Sequence, residues 1–490
     1  MTSTHTQVRP AHGGARVLDW KFAGMLMGIT FSGLQMLNEV GVLMAIPLYR
    51  SMSMELGLTP TQVSWALVAT LLMGAISISV LSRAGDLFGH RRVLVISVVA
   101  IAVGYVISAL ATNFETLMIG RALTGITAGQ ALVIGIMNDR LSPENRRKTI
   151  GIIAGGQAIG VTLGFVLGGV MIQLGATWRD SFWLGAGLTV LSLIGLLLWG
   201  SDSDAVLRRR NSVQRLDLVS TSILGLSLTA VCIGISQSTL WGFLSAPTLL
   251  FTIGGIIGLG IWLAWERKSA DPLIDVSLLL SRRLLPAYAV FLAMGLSGMM
   301  IFNVVLGYAQ TPTVVGYGFG MTPLVAGLLF LPETIAGIVV GQWIPKLLGR
   351  SRPRAPFIGG AVLLLVTFVW MYFMHTEVWG VVIGIFAYGV AYTMLLTIAV
   401  SVIAAAAPVG KGASAASIYP AVAGTGAAIG AAVFGAVIGI GVTPENPVPA
   451  AGNYAIGWLF TILAGVIAIL ATASLSKHVE LTERIELTEV

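Results

Sequence analysis

Apolar residues fill this chain in long blocks, and polar residues gather in the short gaps between them. Fourteen runs approach or exceed the roughly 20 residues that a helix needs to cross a bilayer. They lie near 23–47, 60–82, 92–112, 115–138, 149–174, 181–200, 216–237, 247–265, 284–309, 322–345, 355–374, 377–399, 412–440 and 454–474. No soluble domain of ordinary size fits between them. A run that length satisfies its own backbone polar groups in lipid only as a helix. The pattern predicts an all-α integral membrane protein with fourteen transmembrane helices. The first run is too long for a signal-peptide core and lacks a convincing cleavage site, so it reads as the first helix.

Composition agrees: hydrophobic residues make up 56% and charged residues 10%, against about 25% charged in soluble domains. The net charge of +7 raises the question of nucleic acid, and its placement answers it. Of 28 Lys and Arg, only Arg50 and Arg179 fall in gaps on one side and Arg121 lies within a run. All the others lie on the opposite side, near Arg83, Arg91, Arg146 to Lys148, Arg208 to Arg215, Arg267, Arg282 and Lys346 to Arg354. That is the positive-inside bias, and with an even helix count it puts both termini in the cytoplasm. The basic charge is topological and predicts no nucleic-acid partner. Arg outnumbers Lys by 22 to 6 and Gly and Ala are abundant, a composition that points to a GC-rich bacterial genome. The lone Cys232 excludes an intramolecular disulfide.

Within the fifth run, Gly151, Gly160, Gly164, Gly168 and Gly169 interrupt an otherwise apolar helix. Glycine costs roughly 1 kcal/mol against alanine in a soluble helix, so such a series needs a packing reason. In lipid, small residues let two backbones approach closely. At about 100° per residue, Gly160, Gly164 and Gly168 form one drifting strip while Gly151 and Gly169 face the opposite way. The helix is thinned on two sides, as expected of one wedged between moving neighbours. Ordinary small-residue packing accounts for any three of the five.

The chain also repeats. The gap after the second run reads SRAGDLFGHRR (Ser82–Arg92), and the gap after the tenth reads GQWIPKLLGR (Gly341–Arg350). In each, Gly89 or Gly349 stands seven or eight positions in and cations follow. Two homologous six-helix repeats with two extra helices inserted between them place these gaps equivalently. The expected layout is a cytoplasmic tail over 1–18, a six-helix bundle over 19–200 and a linker with two additional helices over 201–283. A second six-helix bundle over 284–475 and a cytoplasmic tail over 476–490 complete it. Parallel repeats around a midplane cavity are a recurrent transporter plan.

These residues carry a resemblance. Gly85, Asp86, Gly89, Arg91 and Arg92 resemble the loop motif of the major facilitator superfamily, in its fourteen-helix drug:proton antiporter type. Gly349 and Arg350 are the second-half counterparts. LMIGRALTG (Leu117–Gly125) resembles the fourth-helix motif with its buried arginine. The glycine series resembles the fifth-helix motif associated with antiport, and Leu37–Glu39 through Ala45–Pro47 resembles the first-helix signature. The resemblance covers about 20–475. It implies that the loop-motif aspartate pairs with cations and latches one conformation. Ser82, Leu87, Thr124, Phe165 and Asn38 depart from the family's glycine, cation, glutamine, proline and aspartate. The kink attributed to that proline is therefore not carried over, and Glu39 follows the position of the missing aspartate.

Ionisable groups inside a bilayer cost at least a few kcal/mol and normally mark substrate or proton paths. Glu39 lies mid-run with Gln35 one turn earlier on the same face. Arg121 lies near the start of the fourth helix, and Glu333 follows Pro332, about 17 Å into the tenth. A carboxyl in a low-dielectric cavity favours its neutral form, which suits a group that loads and releases a proton. Glu39 is the expected principal protonation site and Glu333 a second proton or substrate site. Arg121 is the expected fixed cation, exchanging attraction between Glu39 and nearby polar groups. Gln35, Asn38, Gln130, Gln157, Asn303, Gln310, Tyr388, Tyr392 and Tyr419 are candidates to line the cavity.

Eighteen Met and several aromatics allow an adaptable apolar surface. Two carboxyls against one arginine favour neutral or cationic amphipaths over anions. The expected protein is a monomeric exporter of hydrophobic or cationic small molecules by proton antiport, in a bacterial inner membrane. The proton gradient is its energy source and no cofactor is expected. The alternatives are a lipid or metabolite carrier or a proton symporter on the same fold, or a non-transporting membrane sensor or assembly scaffold. An enzyme is not expected: the sequence has no nucleotide loop or nucleophile–base pairing. His5, His12, His90, His375 and His478 form no metal-ligand spacing with Cys232.

Overall fold

The structure, a computed structural model, describes residues 25–126, 132–133, 136, 143–199, 217–269, 272–348, 353–408, 412–442 and 448–475. Every regular element among them is helical. The helices longer than ten residues are α1 (Met25–Leu43), α2 (Pro60–Phe88), α3 (His90–Ala109), α4 (Phe114–Thr124), α5 (Pro143–Gln173), α6 (Trp178–Trp199) and α7 (Leu218–Ser236). They continue as α8 (Ala246–Glu266), α9 (Leu285–Gln310), α10 (Leu331–Leu348), α11 (Arg354–Met374), α12 (Val378–Ala406), α13 (Gly412–Ile438) and α14 (Ala451–Ser474). The tails and all of 200–216 lie outside the described residues, as do Gln130, Gly349 and Arg350.

Eleven stretches among the described residues are long and apolar enough to cross a membrane. The chain is a multi-pass membrane protein. The predicted runs missing from those eleven are the first, fourth and fifth. Gln35, Asn38 and Glu39 dilute α1; the described part of α4 ends at Thr124; and α5 opens on the charged residues of PENRRK.

Two predicted helices are interrupted. The first run breaks after Leu43 into a 3₁₀ turn over Ile46–Leu48, where Pro47 cannot donate to the ladder. The tenth run divides into a short helix, Pro323–Leu328, and α10. Leu329 and Phe330 close the junction with bonds to carbonyls three residues back, at 3.2 Å each, the tighter geometry of a 3₁₀ turn. Pro332, two residues into α10, again removes a donor. Glu333 therefore lies in the first turn of α10 and not deep within one long helix.

Helix starts follow local chemistry. Thr59 and Gln62 form a reciprocal capping box ahead of α2, with Pro60 at its first position. Gly89, at φ 99°, ends α2 and begins α3 in one residue, a conformation few other residues adopt cheaply. Asp217 caps α7 and accepts from Ser220 N–H, Trp265 Nε1 and Ser269 Oγ. Partial burial opposes ionisation of that carboxyl, but these bonds outweigh it and hold it below the usual carboxylate range.

Contacts recur eight helices apart. α1 packs along α5 as α9 packs along α13, and α3 touches α4 and α6 as α11 touches α12 and α14. Arg91 at the start of α3 donates to Leu197 O near the end of α6, at 3.2 Å. Arg354 at the start of α11 donates to Ala473 O near the end of α14, at 2.7 Å. In both places a cation satisfies a carbonyl that a helix end leaves without a partner. The first set of helices meets the second where α2 lies on α13 and where α5 lies on α10 and the short helix Pro323–Leu328. α7 and α8 form a hairpin, and α7 rests on both α2 and α13. Trp65 Nε1 of α2 donates to Ser236 Oγ of α7 at 3.0 Å.

The glycines of α5 serve both of its neighbours. A Cβ on Gly160 would stand 2.6 Å from Met36 O and 3.0 Å from Glu39 Cβ; one on Gly164 would stand 3.0 Å from Leu43 Cβ. These glycines admit α1. Gly169, on the other side, admits the backbone of Pro323 and Leu324 from the opposite set of helices. Gly168 is buried in the same helix. α5 runs unbroken through Phe165, where the resembling motif has proline.

Candidate functional site

The site lies where α1, α10, α12 and α13 face one another. Glu39 is half-buried on α1, and Gln35 Nε2 donates to its Oε1 at 3.3 Å. The expected pairing of these two across one turn is present. Gly160 of α5 lies directly behind Glu39, so the close approach of α5 sets the carboxyl's depth. Asn38 is half-buried beside it.

Glu333 reaches the same region from α10. Its Oε2 is buried without a hydrogen-bond partner among the described residues. α12 packs tightly behind it: a Cβ on Gly389 would stand 2.7 Å from Glu333 O. Next to that contact α12 carries Tyr388, the residue before Gly389, and Tyr392, three residues after it, whose ring centroids lie 5.7 Å apart. The Tyr388 hydroxyl is buried and lacks a partner. Tyr392 lies within electrostatic reach of Glu333, Glu39 and Tyr419 together. Two carboxyls from opposite sets of helices thus lie within electrostatic reach of one phenol. Tyr419 itself stacks on Phe291 at 4.5 Å.

Arg121 is fully buried but does not turn to Glu39. Its Nε donates to Ala66 O of α2 at 3.0 Å and its Nη1 to Gly41 O of α1 at 3.3 Å. The guanidinium carbon stands 5.5 Å from the Phe182 ring centroid. The Tyr105 and Tyr49 phenols lie within its electrostatic reach. In this conformation Arg121 is a bolt joining α4 to α1 and α2, and a Tyr-lined recess holds its charge. Arg121→Lys keeps the charge but replaces the rigid fork with a point donor that cannot serve both carbonyls. Losing one bond to a charged group costs about 1.5–3 kcal/mol. We expect a lower unfolding temperature in detergent by tryptophan fluorescence; an unchanged midpoint would refute the bolt.

The remaining predicted residues disperse. Asn303 is buried, and its amide donates to Met299 O at 2.7 Å within its own helix, so that donor is spent on α9. Gln310 is the last residue of α9, at the end remote from the carboxyls. In the loop motif, Gly85 packs under Leu132 and Arg92 is exposed. The side chains of Asp86 and Gln157, and the packing of Gly151, lie outside what is described.

Sequence reasoning missed an aromatic cluster one to two turns beyond Glu333. Phe165 of α5 stacks on Phe330 at 4.6 Å, and Phe302 of α9 meets both edge-on at 5.2 Å. The hydroxyls of Thr162 and Thr334 touch across the same seam. Phe165 replacing the motif's proline was the one available signal; its partners are distant in sequence.

A model of the Major Facilitator Superfamily matches residues 29–431. Among curated proteins, the chain is 28% identical to a "Probable triacylglyceride transporter" of Mycobacterium leprae, over 66% of this chain and 64% of that protein. It therefore spans just under two thirds of that relative's length. It is 26% identical to the multidrug resistance protein Stp of Mycobacterium tuberculosis, over 76% of this chain and 68% of that one. Among solved structures, the peptide transporter POT in complex with sulfate superposes with a TM-score of 0.65 at 17% identity, covering 94% of this chain and all of that one (100%). The nucleoside transporter NupG gives 0.57 at 16% identity, covering 92% and 99%. At such identity these two share the fold alone.

Proposed function

The chain belongs to the major facilitator superfamily, and on that premise we propose that it exports hydrophobic or cationic small molecules in exchange for protons. The observation that carries this reading is that Glu39 and Glu333, from opposite sets of helices, both lie within electrostatic reach of Tyr392. A proton and a cargo that compete for the same carboxyls cannot both be held there, which is the requirement for exchange. Neutralising either carboxyl weakens a cationic cargo's hold and releases it when the site faces outward.

Two six-helix bundles, 19–200 and 284–475, rock about this site, with the α7–α8 hairpin carried between them and both termini in the cytoplasm. Fourteen crossings follow if α1, α4 and α5 span together with the eleven apolar stretches. In that orientation the joined ends of α5 and the short helix Pro323–Leu328 face outward. The membrane is a bacterial inner membrane, the gradient is the energy source, and a monomer suffices. The triacylglyceride transporter among the relatives favours a second reading, an apolar lipid cargo in the same cavity.

The test is flux in proteoliposomes under an imposed pH gradient, with an amphipathic cationic dye in one set and a labelled triacylglyceride in another. Dye movement against the proton gradient, collapsing when the gradient is dissipated, is the expected result. Gradient-dependent movement of lipid alone selects the second reading. No gradient-dependent movement of either sinks the exchange mechanism.

A further inference from the structure

The seam between α5 and the α10 region is built as a hinged closure. Phe165 and Phe330 are fully buried and Phe302 is 6% exposed, although the three come from separate helices. Their edge-on and stacked geometry is the favourable one for aromatic groups. Phe330 sits at the junction between the short helix Pro323–Leu328 and α10, where the backbone ladder is broken. Such a break absorbs a change of angle that a continuous helix resists.

Everything holding the short helix to α5 is local. A Cβ on Gly327 would stand 2.8 Å from Phe165 O, and one on Gly169 would stand 2.7 Å from Pro323 C. Gln173 Nε2 donates to Thr322 Oγ1 at 3.5 Å at the tip, and the Thr162 and Thr334 hydroxyls meet on the carboxyl side. The helix is six residues long and capped by Thr322. It is compact, with a break on its α10 side, close backbone contacts to α5 and a weak polar tip. The segment before it is tied to α9 by Gly320 N–H to Thr311 O and Met321 N–H to Ala309 O, at 2.9 Å each.

We infer that the short helix Pro323–Leu328 is a lid hinged at Leu329–Phe330, and that Phe165 is the latch that holds it shut above the carboxyls. The lid shields Glu39 and Glu333 from water at that end, and it must swing away from α5 before cargo leaves. Which side that end faces rests on the orientation proposed above; the lid and latch do not.

Thiol accessibility tests this without requiring transport. In a Cys232→Ala background, Thr334→Cys reports water beneath the lid and Val314→Cys, in the exposed loop (90% exposed), reports the surface. Cells are treated from outside with a membrane-impermeant thiol reagent. Thr334→Cys is expected to react at least tenfold faster when Phe165→Ala is added, and by an intermediate factor with Phe165→Leu. Val314→Cys reacts equally in all. A Gln173→Cys/Thr322→Cys pair, oxidised across the tip, is expected to cancel the acceleration, and a reductant to restore it. Equal Thr334→Cys rates with and without the latch substitutions overturn the proposal, as does acceleration that the tip cross-link leaves intact. Should Phe165→Ala fail to fold, the Phe165→Leu comparison tests the latch in the same way. Acceleration seen only with reagent at the cytoplasmic face keeps the lid and refutes the orientation.

Discussion

Replacing Glu39 by Gln is expected to remove pH-gradient-driven flux, by at least tenfold, while leaving gradient-independent exchange of a neutral cargo in place. The substitution keeps the shape of the side chain and its partner Gln35, whose amide bonds the Glu39 carboxyl at 3.3 Å. It removes only the ability to change charge. A half-buried carboxyl within the bilayer is costly to ionise, so its charge state responds to what else enters the site. That dependence is what couples cargo to protons. Glutamine makes position 39 permanently neutral, and the protein becomes a passive exchanger. Flux in Glu39→Gln that tracks the pH gradient as well as wild type would assign coupling elsewhere, and Glu333→Gln would then be the variant that loses it.

Gly160→Val is expected to be strongly damaging to the contact between α1 and α5. Its Cβ alone would stand 2.6 Å from Met36 O and 3.0 Å from Met36 Cα, backbone atoms of a helix that cannot step aside like a side-chain tip. Overpacking of this kind costs about 1–3 kcal/mol and sometimes more, and the two further methyls of valine add to it. Relief requires α1 to move off α5, which carries Glu39 with it. We expect a lower unfolding temperature in detergent and loss of coupled flux together. Gly187→Ala is the control: an added Cβ there meets nothing within 4 Å, and alanine's helix propensity exceeds glycine's by roughly 1 kcal/mol. Its stability should hold or rise. Equal behaviour of the two variants would show that the glycines of α5 are not packing devices.

Much of this was legible in the sequence because the bilayer makes one-dimensional information sufficient. Helix positions follow from apolar run length, and α5's two thinned sides follow from glycine spacing. Gly160 and Gly164 do meet α1, and Gly169 does meet the opposite set of helices. The Gln35–Glu39 contact was legible for the same reason, since residues four apart on a helix are neighbours. The break at Leu329–Phe330 was not. An apolar run with a proline near its middle reads equally well as a kinked or a divided helix, and only the packing of Phe330 on Phe165 distinguishes them.

Arg121 shows the other limit. Its burial follows from its place within an apolar run, but its partners do not. A guanidinium seeks whatever acceptors stand around it, and here those are the Gly41 and Ala66 carbonyls with the Phe182 ring beside them, three segments remote from it in the chain. The sequence by itself determined the solvent, the helical class and the burial of Arg121, because each of these depends on neighbours within a few turns or on composition. Tertiary structure alone decided that Glu39 and Glu333 share Tyr392, that Arg121 bolts helices together, and that Phe165 closes a seam. Those facts depend on groups tens to hundreds of residues apart in the chain coming together, and no local periodicity encodes that.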